Sequence, residues 1–541
     1  MQLKFVPPAS RRHRLDILKN LGRRAAGATN VFILLFLPHI AFAAPRNVML
    51  ITIDTWRADY LSYNGSTKVQ TPHVDRLAKE GANFTKARTS VPLTLPSHAS
   101  IMTGLYPPNH GVRDNGSFRL PDSHSTLAQT LKSKGYITAA FIGSFVLDHR
   151  FGLNAGFDVY DDRTWNQIAM LESSDAERNA EAVYKAFQSW WTTRDQSKPF
   201  FVWIHLYDPH APYEPPAPFR ARYKTNPYAG EVAYADSFVG KLMNDLEKST
   251  LTGNSIVAVV GDHGEGLGEH QENSHSVLIY NSKLHVPMIL FAPKLIAPAT
   301  RIDSLTRTID LASTLLDYLG YGKNFGEGTS MRNVIEGGNV PEVQSYSESL
   351  YPKLNLGWSP LFGIEAGKFH FILAPAPELY YLPTDPAETK NRLQEFPQIV
   401  DQLQDKLKPF VEKPSVARQK LDAEAEEKLR SLGYVSGAQA SRQSNADPKD
   451  KMGIWNRMQQ GMSFSKYGNC REAIAIFEEV LMKEKDTPLV YDYLGSCYRS
   501  IKEWDKAENV YRKALDRGLE SATVRMNLGV LLHREKKLEQ A

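Results

Sequence analysis

From Asn47 to Leu319 the chain alternates short, wholly apolar runs with amphipathic stretches, and this alternation constrains the fold more than any other feature. An apolar run without polar alternation is typical of a strand that is buried on both faces, and helical spacing between such runs predicts a parallel sheet covered by helices. The predicted strands are Val48–Ile53, Tyr136–Ile142, Phe200–Leu206, Ile256–Val260 and Val286–Phe291, and the predicted helices are Thr71–Gly81, Ser125–Lys134, Ala176–Trp191, Glu231–Lys248 and Arg307–Leu319.

Polar, metal-compatible side chains follow three of these predicted strands. Asp54 follows the first, His210 lies just beyond the third, and Asp262 with His263 follows the fourth. Because ligands of such sheets bind beyond the carboxyl ends of the strands, we expect these side chains to lie close together. Two carboxylates and an imidazole can hold one divalent cation, which lowers the pKa of a nearby hydroxyl. Each motif alone is weak evidence, since an aspartate at a strand end is more often a cap or a turn residue.

A smaller unit and a linker are predicted to follow the main α/β unit, which spans residues 44–337. Residues 338–435 contain strand-like runs and a turn at Pro383–Pro386, so we expect an antiparallel unit packed at the edge of the main sheet. Residues 436–450 are rich in Ser, Gln, Asn and Gly, which indicates a linker. The predicted strands of the smaller unit are Gln344–Glu348, Leu361–Ala366 and Phe369–Ala374.

Residues 451–541 repeat with a period of 34 residues. Small residues at fixed spacing let two helices approach closely, while aromatic residues fill the groove between them. The pattern resembles the tetratricopeptide repeat, most clearly at Tyr493-Leu494-Gly495 and Tyr498, and implies all-α repeats that bind a protein or peptide partner. The third copy stops before its second helix, so we expect a fragment of a longer chain. The recurring positions are Gly461, Gly495 and Gly529, then Ala473, Ala507 and Ala541, then Phe477 and Tyr511.

The first 43 residues are typical of a signal peptide. Basic residues precede an apolar stretch from Val31 to Ala43 that ends in Ala41-Phe42-Ala43. The stretch is too short, and too interrupted by Pro38, for a comfortable bilayer-spanning helix. We therefore expect an exported protein, periplasmic or extracellular, that is attached to a membrane only if the leader is not cleaved.

Charge and cysteine content exclude two other classes of protein. The chain has 64 basic and 60 acidic residues, but seven basic residues and one acidic residue lie in the leader, so the remainder holds 57 against 59. The body therefore has no general basic surface for nucleic acid. The two cysteines, Cys470 and Cys497, cannot form a disulfide framework, and we expect both to pack between helices.

Four segments taken together resemble the sulfatase family of the alkaline phosphatase superfamily. The resemblance covers about residues 46–435. It implies an alkaline-phosphatase-like α/β fold, with a mainly parallel sheet flanked by helices and a small antiparallel C-terminal subdomain, and it implies a divalent cation. The segments are Ile51–Asp59, Thr71–Ala78, Thr94–Pro107 and Asp262–His270, supported by Asp208–Tyr213, Val286-Pro287, Glu378–Tyr380 and Asp385–Glu388.

The nucleophile position departs from the familiar sulfatases. Their nucleophile is a formylglycine, made mostly from cysteine, in a Cys-x-Pro-Ser-Arg block. Here Thr94 stands at the cysteine position and His98 at the arginine position, and threonine cannot yield formylglycine. Thr94–His98, Thr103–Pro107 and His110–Asn115 are together similar to the nucleotide pyrophosphatase/phosphodiesterases, members of the superfamily that attack phosphorus through threonine.

The resemblance and the charges of the side chains imply a role for each candidate. One cation is expected, because the ligand spacing of the two-zinc phosphodiesterases is missing. An imidazole ligand favours manganese or zinc, with calcium or magnesium as alternatives. The expected metal ligands are Asp54, Thr94, Asp262 and His263, and the expected catalytic residues are Thr94 as the nucleophile, Asn115 and His210 as donors to substrate oxygens, His275 as the proton donor to the leaving group, and His98.

The favoured function is an exported, metal-dependent hydrolase that cleaves phosphate esters or diesters, or sulfate esters, through Thr94, with phosphoric esters preferred. Two alternatives stay open: a non-catalytic sulfatase-like scaffold with protein-binding repeats, and a phosphoglycerol- or phosphoethanolamine-type transferase. The complete set of metal-compatible residues favours catalysis over a scaffold. The substrate is a small or polymeric phosphoric or sulfuric ester, and we expect the loops Trp165–Ser174 and Phe219–Ala229 to line the entrance to the site.

Overall fold

An eight-stranded sheet lies at the centre of the structure, a computed structural model that describes residues 47–163, 176–414, 419, 421–432, 434, 444–519 and 522–534. The predicted leader, the loop Trp165–Ser174 and residues 436–443 of the predicted linker lie outside these residues. The described strands are β1 (Asn47–Ile53), β2 (Ala82–Phe84), β3 (Ala87–Arg88), β4 (Ile137–Phe141), β5 (Val159–Asp161), β6 (Phe200–Leu206), β7 (Ser255–Gly261), β8 (His285–Val286), β9 (Met288–Phe291), β10 (Thr300–Ile302), β11 (Thr306–Arg307), β12 (Asn324–Phe325), β13 (Gly328–Thr329), β14 (Gln344–Ser349), β15 (Leu361–Ala366), β16 (Phe369–Leu373) and β17 (Glu378–Tyr381).

The central sheet has the order β10-β2-β9-β7-β1-β6-β4-β5. The pairs from β7 through β1, β6 and β4 to β5 are all parallel, as the apolar runs predicted. The predicted strand Val286–Phe291 is instead interrupted at Pro287, and its second part, β9, runs antiparallel to β7. Proline has no backbone N–H to donate, and here β8 pairs with β3 in a separate small sheet while β9 joins the central one.

The two faces of the sheet face two different hydrophobic cores. In β1, Val48 and Leu50 belong to one core, while Met49, Ile51 and Ile53 belong to the other, because side chains alternate along a strand. Each fully buried aliphatic side chain contributes about 1.5–3 kcal/mol. A strand that is buried on both sides therefore needs an uninterrupted apolar run, which explains the pattern from which the strands were predicted.

Helices cover both faces, and the five predicted helices are all present with small changes at their ends. α2, α4 and α9 pack on the face of Val48, and α1, α5 and α7 pack on the face of Met49. The described helices are α1 (Pro72–Glu80), α2 (Thr94–Thr103), α3 (Pro107–His110), α4 (Leu127–Ser133), α5 (Ala180–Thr193), α6 (Phe219–Arg222), α7 (Pro227–Lys248), α8 (Asn281–Leu284), α9 (Asp310–Tyr318), α10 (Arg332–Ile335), α11 (Pro397–Val411), α12 (Ala423–Ser431), α13 (Met452–Lys466), α14 (Cys470–Lys483), α15 (Pro488–Ser500), α16 (Trp504–Asp516) and α17 (Ala522–Arg534).

The smaller unit forms a sheet of its own and does not extend the central sheet. Its order is β14-β15-β16-β17, and every neighbouring pair is antiparallel. β17 is a four-residue strand that the sequence pattern did not predict. Ile364 and Phe371 pack with Leu403 and Leu407 of α11 in a third core. A buried ion pair between Arg113 and Glu348 joins this sheet to the main unit.

The helices α13–α17 pack in sequence, each against the next. α15 and α16 pack closely at Gly495, where an added Cβ would lie 2.3 Å from the ring of Tyr511. Gly461 stands in the same relation to Phe477, one repeat earlier. These contacts confirm the predicted close approach of small and aromatic residues.

Cys470 and Cys497 are buried and free, as predicted for residues that pack between helices. Cys497 Sγ lies 3.2 Å from the hydroxyl of Ser465. Among the helices that the structure describes, none combines the length and the apolar character needed to cross a bilayer.

Replacing Gly495 by alanine is expected to destabilise the helical region by about 1–3 kcal/mol, because the new methyl group overlaps the fully buried ring of Tyr511. Gly453→Ala is the matched control, since a Cβ there meets nothing within 4 Å. Urea unfolding followed by circular dichroism should show a lower midpoint for Gly495→Ala and an unchanged or higher one for Gly453→Ala. Equal midpoints for the two variants would contradict the close packing.

Candidate active site

The candidate site forms where β1 and β7 end side by side. In the register of this parallel pair Ile53 lies opposite Gly261, so the next residues, Asp54 and Asp262, leave the sheet together. His263 follows directly, and Thr94, the first residue of α2, lies across from it. The fold therefore brings together four side chains that are far apart in the sequence.

The distances within this cluster are short. Thr94 Oγ1 lies 3.4 Å from Asp54 Oδ2 and 3.4 Å from His263 Nε2. His263 Nε2 lies 3.5 Å from Asp262 Oδ2 and 3.9 Å from Asp54 Oδ1. All four predicted metal ligands therefore surround one small volume.

Burial raises the pKa values of the two carboxyl groups. Asp54 and Asp262 are fully buried, and this burial raises the pKa of Asp54 to about 7 and that of Asp262 to about 8. The neighbouring charge of Asp54 raises the pKa of Asp262 further, because two like charges disfavour each other. The site therefore has too little positive charge to balance two ionised carboxylates.

Two carboxylate oxygens in the cluster are left without a hydrogen-bond partner among the described residues. Asp262 Oδ1 accepts from the backbone N–H groups of Thr55 and His263, at 3.1 and 2.7 Å, but Asp262 Oδ2 accepts no hydrogen bond. Asp54 Oδ1 is likewise unpaired. Ligand atoms of Asp54, Asp262 and His263 all lie within 4.8 Å of one another. Buried, unpaired carboxylate oxygens next to an imidazole fit a divalent cation.

The neighbourhood of Thr94 is built from α2 and the segment after α3. The backbone N–H of Leu95 donates to Asn115 Oδ1 at 2.9 Å, which fixes the Asn115 side chain beside Thr94. Asn115 Nδ2 is buried beside Tyr434, and it makes no hydrogen bond of normal length and angle with the described residues. An unpaired N–H2 group beside a helix N-terminus is suited to an anionic oxygen. This placement agrees with the expected role of Asn115, which stays a prediction.

His98 lies one turn along α2 from Thr94, within the protein interior. Its Nδ1 lies 2.8 Å from the carbonyl oxygen of Thr94, and its Nε2 lies 2.9 Å from the hydroxyl of Thr52. Burial lowers the pKa of His98 to about 3, so the ring is neutral. These contacts suit a residue that positions Thr94, whereas an arginine would bring a charge to this position.

His275 lies next to His263, and His210 lies next to His275. The ring centroids of His263 and His275 are 4.7 Å apart, and those of His275 and His210 are 5.1 Å apart. His275 Nδ1 lies 3.1 Å from Glu265 Oε1, and its Nε2 lies 3.1 Å from the hydroxyl of Tyr434. Burial lowers the pKa of His275 well below its ordinary value and that of His210 to about 3. The catalytic roles expected of both histidines stay predictions.

Two residues of the site were missed by the sequence analysis. His205 Nε2 lies 3.3 Å from Asp54 Oδ2, but the residue stands inside the apolar strand β6 and resembled core. Tyr434 reaches His275 from the segment after α12, far from every motif. His205 is the penultimate residue of a strand that ends at the site, and this position could have predicted it as a site residue. No feature of the sequence around Tyr434 indicated a place in the site.

Asp208 does not belong to the cluster. Its Oδ2 accepts from the backbone N–H of Ala180 at 2.7 Å, at the start of α5. Burial raises the pKa of Asp208, and Glu231 lies beside it. The expectation of a single cation stays a prediction.

Family models match most of the two sheet-containing units. The model of the sulfatase family matches residues 46–321. A second model, for the C-terminal region of N-sulphoglucosamine sulphohydrolase, matches residues 268–413 and includes the four-stranded sheet.

Individual relatives are distant. An ulvan-active sulfatase of Formosa agariphila is 27% identical over 46% of this chain, and the match spans only 56% of that relative. Arylsulfatase K of Xenopus laevis is 23% identical over 69% of this chain and 83% of its own length. The crystal structure of a phosphonate monoester hydrolase of Agrobacterium radiobacter superposes with a TM-score of 0.59 and 20% identity, over 69% of this chain and all of that one.

The structural likeness confirms the predicted fold, an alkaline-phosphatase-like α/β fold with a mainly parallel sheet, a C-terminal antiparallel sheet and C-terminal helices. The family model covers more than half of the chain. The chain belongs to the sulfatase family.

Proposed function

We propose that this protein is a metal-dependent ester hydrolase that uses Thr94 as its nucleophile and acts preferentially on phosphoric esters. One observation carries the proposal: Thr94 Oγ1 lies 3.4 Å from both Asp54 Oδ2 and His263 Nε2. Membership of a hydrolase family supports the reaction class. A hydroxyl in contact with a carboxylate and an imidazole, at the start of a helix, has the surroundings of an activated nucleophile.

The proposed metal ligands are Asp54, Asp262, His263 and the Thr94 oxygen. When bound, a divalent cation would lower the pKa of the threonine hydroxyl and offset negative charge on the substrate. The imidazole ligand favours manganese or zinc over calcium or magnesium.

In the proposed reaction Thr94 Oγ1 attacks phosphorus and its proton passes to water, while the bond from phosphorus to the leaving-group oxygen breaks. That oxygen takes up a proton, for which His275 is the proposed donor, and water then attacks phosphorus and releases Thr94 with its hydroxyl restored. Asn115 Nδ2, which is unpaired and buried, would donate to a phosphoryl oxygen as negative charge develops. His98 would hold the Thr94 backbone in place through its contact with the carbonyl oxygen.

Sulfate esters are the second candidate substrates, and the relatives' names favour them. The ulvan-active sulfatase and arylsulfatase K are both named for sulfate esters. The threonine favours phosphorus, because it is the nucleophile type of the phosphodiesterases that the block Thr94–Asn115 resembles. A structural neighbour that hydrolyses phosphonate monoesters has the same fold.

We also propose that helices α13–α17 are tetratricopeptide repeats and that the leader directs export. The repeats are supported by the contacts of Gly461 and Gly495 and by the offset of 34 residues between α14 and α16. The leader is supported by its composition alone.

The first test measures bound metal. Protein purified without chelator should hold about one divalent cation per chain by plasma mass spectrometry, and Asp262→Ala should lose it, because two carboxylates and one imidazole share the ion. His149→Ala tests the other group that could hold an ion, in which Asp148 is buried, His149 is exposed and Asp162 is half-buried. Wild-type metal content in Asp262→Ala, or loss of metal in His149→Ala, would contradict the assignment.

The second test measures turnover on p-nitrophenyl phosphate, bis-p-nitrophenyl phosphate and p-nitrophenyl sulfate. Thr94→Ala should lower kcat by roughly a thousandfold or more on the preferred ester, because it removes the attacking oxygen. Thr94→Ser keeps a hydroxyl and should retain much of the activity. Full activity in Thr94→Ala would exclude the proposed nucleophile, and a preference for the sulfate would replace phosphorus by sulfur in the proposal.

A further inference from the structure

A cavity of about 680 Å³ lies between the C-terminal helices α13–α17 and the two sheet-containing units, residues 47–434, which together are called the catalytic unit. Its floor includes His210, His275 and Tyr434, and its opposite wall is formed by side chains of α13 and α15. The loop Phe219–Ala229, which the sequence analysis placed at the entrance, does not line this cavity.

The floor of the cavity is one side chain away from the candidate nucleophile. His275 contacts His263, with 4.7 Å between ring centroids, and His263 Nε2 lies 3.4 Å from Thr94 Oγ1. Thr94 itself is 1% exposed. A substrate that occupies the cavity would therefore lie next to His275, with only the His263 ring between it and Thr94.

The helical wall is held against the catalytic unit by specific contacts. Asn456 Nδ2 donates to the carbonyl oxygen of Gln271 at 2.6 Å, and the side chain of Gln459 donates to Ser274. The rings of Trp455 and Tyr351 are 5.5 Å apart, edge to face. Through these contacts one side of α13 packs against the catalytic unit. This side is therefore not available to a separate protein partner.

The wall is polar and aromatic, and it includes one charged side chain, Lys466 of α13. Gln459, Gln460 and Ser463 of α13 and Ser496 and Ser500 of α15 supply neutral hydrogen-bonding groups. Trp455, with Tyr207 across the cavity, supplies ring surface. Neutral amides and hydroxyls with aromatic rings suit a polar organic group and are unsuited to a long acyl chain.

We propose that α13 and α15 form part of the substrate pocket, and that they bind the polar organic group of the ester whose phosphoryl or sulfuryl group reacts at Thr94. The proposal rests on the proposed function for the reacting group. It assigns the C-terminal helices a direct part in specificity, beyond any partner that the repeats bind elsewhere.

The test fills the cavity and measures binding without turnover. In the full-length Thr94→Ala protein, calorimetry would measure the affinity for p-nitrophenyl phosphate and p-nitrophenyl sulfate. Ser463→Trp and Ser500→Trp, from the two helices, should each weaken binding of the better ligand about tenfold or more, because the indole occupies the space of the organic group. Met482→Trp is the matched control on the outer side of α14, where Met482 is 73% exposed, and should leave affinity unchanged.

Melting temperatures of all variants would be measured together, and the second tryptophan variant replaces the first if one of them does not fold. Affinities equal to that of Met482→Trp in a folded cavity variant would overturn the proposal, as would a parent protein that binds neither ester. Turnover by the Thr94→Ala protein, compared with turnover by the wild type, separates the two proposals. If Thr94→Ala keeps full turnover while the cavity variants still lose affinity, the pocket stands and the nucleophile assignment fails.

Discussion

Two carboxylates meet at the ends of neighbouring parallel strands, and the rest of the site depends on this contact. The pairing of β1 with β7 sets Asp54 and Asp262 side by side, and the apolar strands around them exclude water. Such a pair is stable only with protons or with a positive charge between the carboxylates. Burial raises the pKa of both groups, and the two unpaired carboxylate oxygens are available to a cation.

The surrounding elements supply the other side chains of the cluster. α2 begins at Thr94 and presents its N-terminus to the cluster, and His98 holds the first turn from within the core. His205 contacts Asp54 from β6, and His263 contacts Asp262 from the end of β7. Burial lowers the pKa of His98 to about 3 and that of His205 to about 4, so neither ring adds positive charge beside the two carboxylates, and this favours an exchangeable ion over a permanent ion pair.

Much of this arrangement was accessible from the sequence, because buried strands need continuous apolar runs and parallel strands end at one edge. β6 and the convergence of Asp54 with Asp262 and His263 were predicted in this way, whereas the place of Thr94 was predicted from the family resemblance. The reversal of β9 was not, since an apolar run carries no mark of direction, and the three-residue strands β2 and β10 are too short for a periodic signal.

The residues around the cluster were harder to predict. His205 resembles core because one face of a buried strand can point into a site without changing the apolar pattern. Tyr434 and the wall formed by α13 depend on how the C-terminal helices pack against the catalytic unit, and no local pattern encodes that packing. The 34-residue period predicted helix pairs but not the surface against which they lie.

Anomalous diffraction from crystals grown with manganese would locate a cation at the ends of β1 and β7. We expect one strong anomalous peak bounded by Asp54 Oδ1, Asp262 Oδ2 and His263 Nε2, with the Thr94 hydroxyl in contact with it. A cluster without a peak, or an ion bound at Asp262 with the Thr94 oxygen turned away from it, would exclude a cation that activates Thr94.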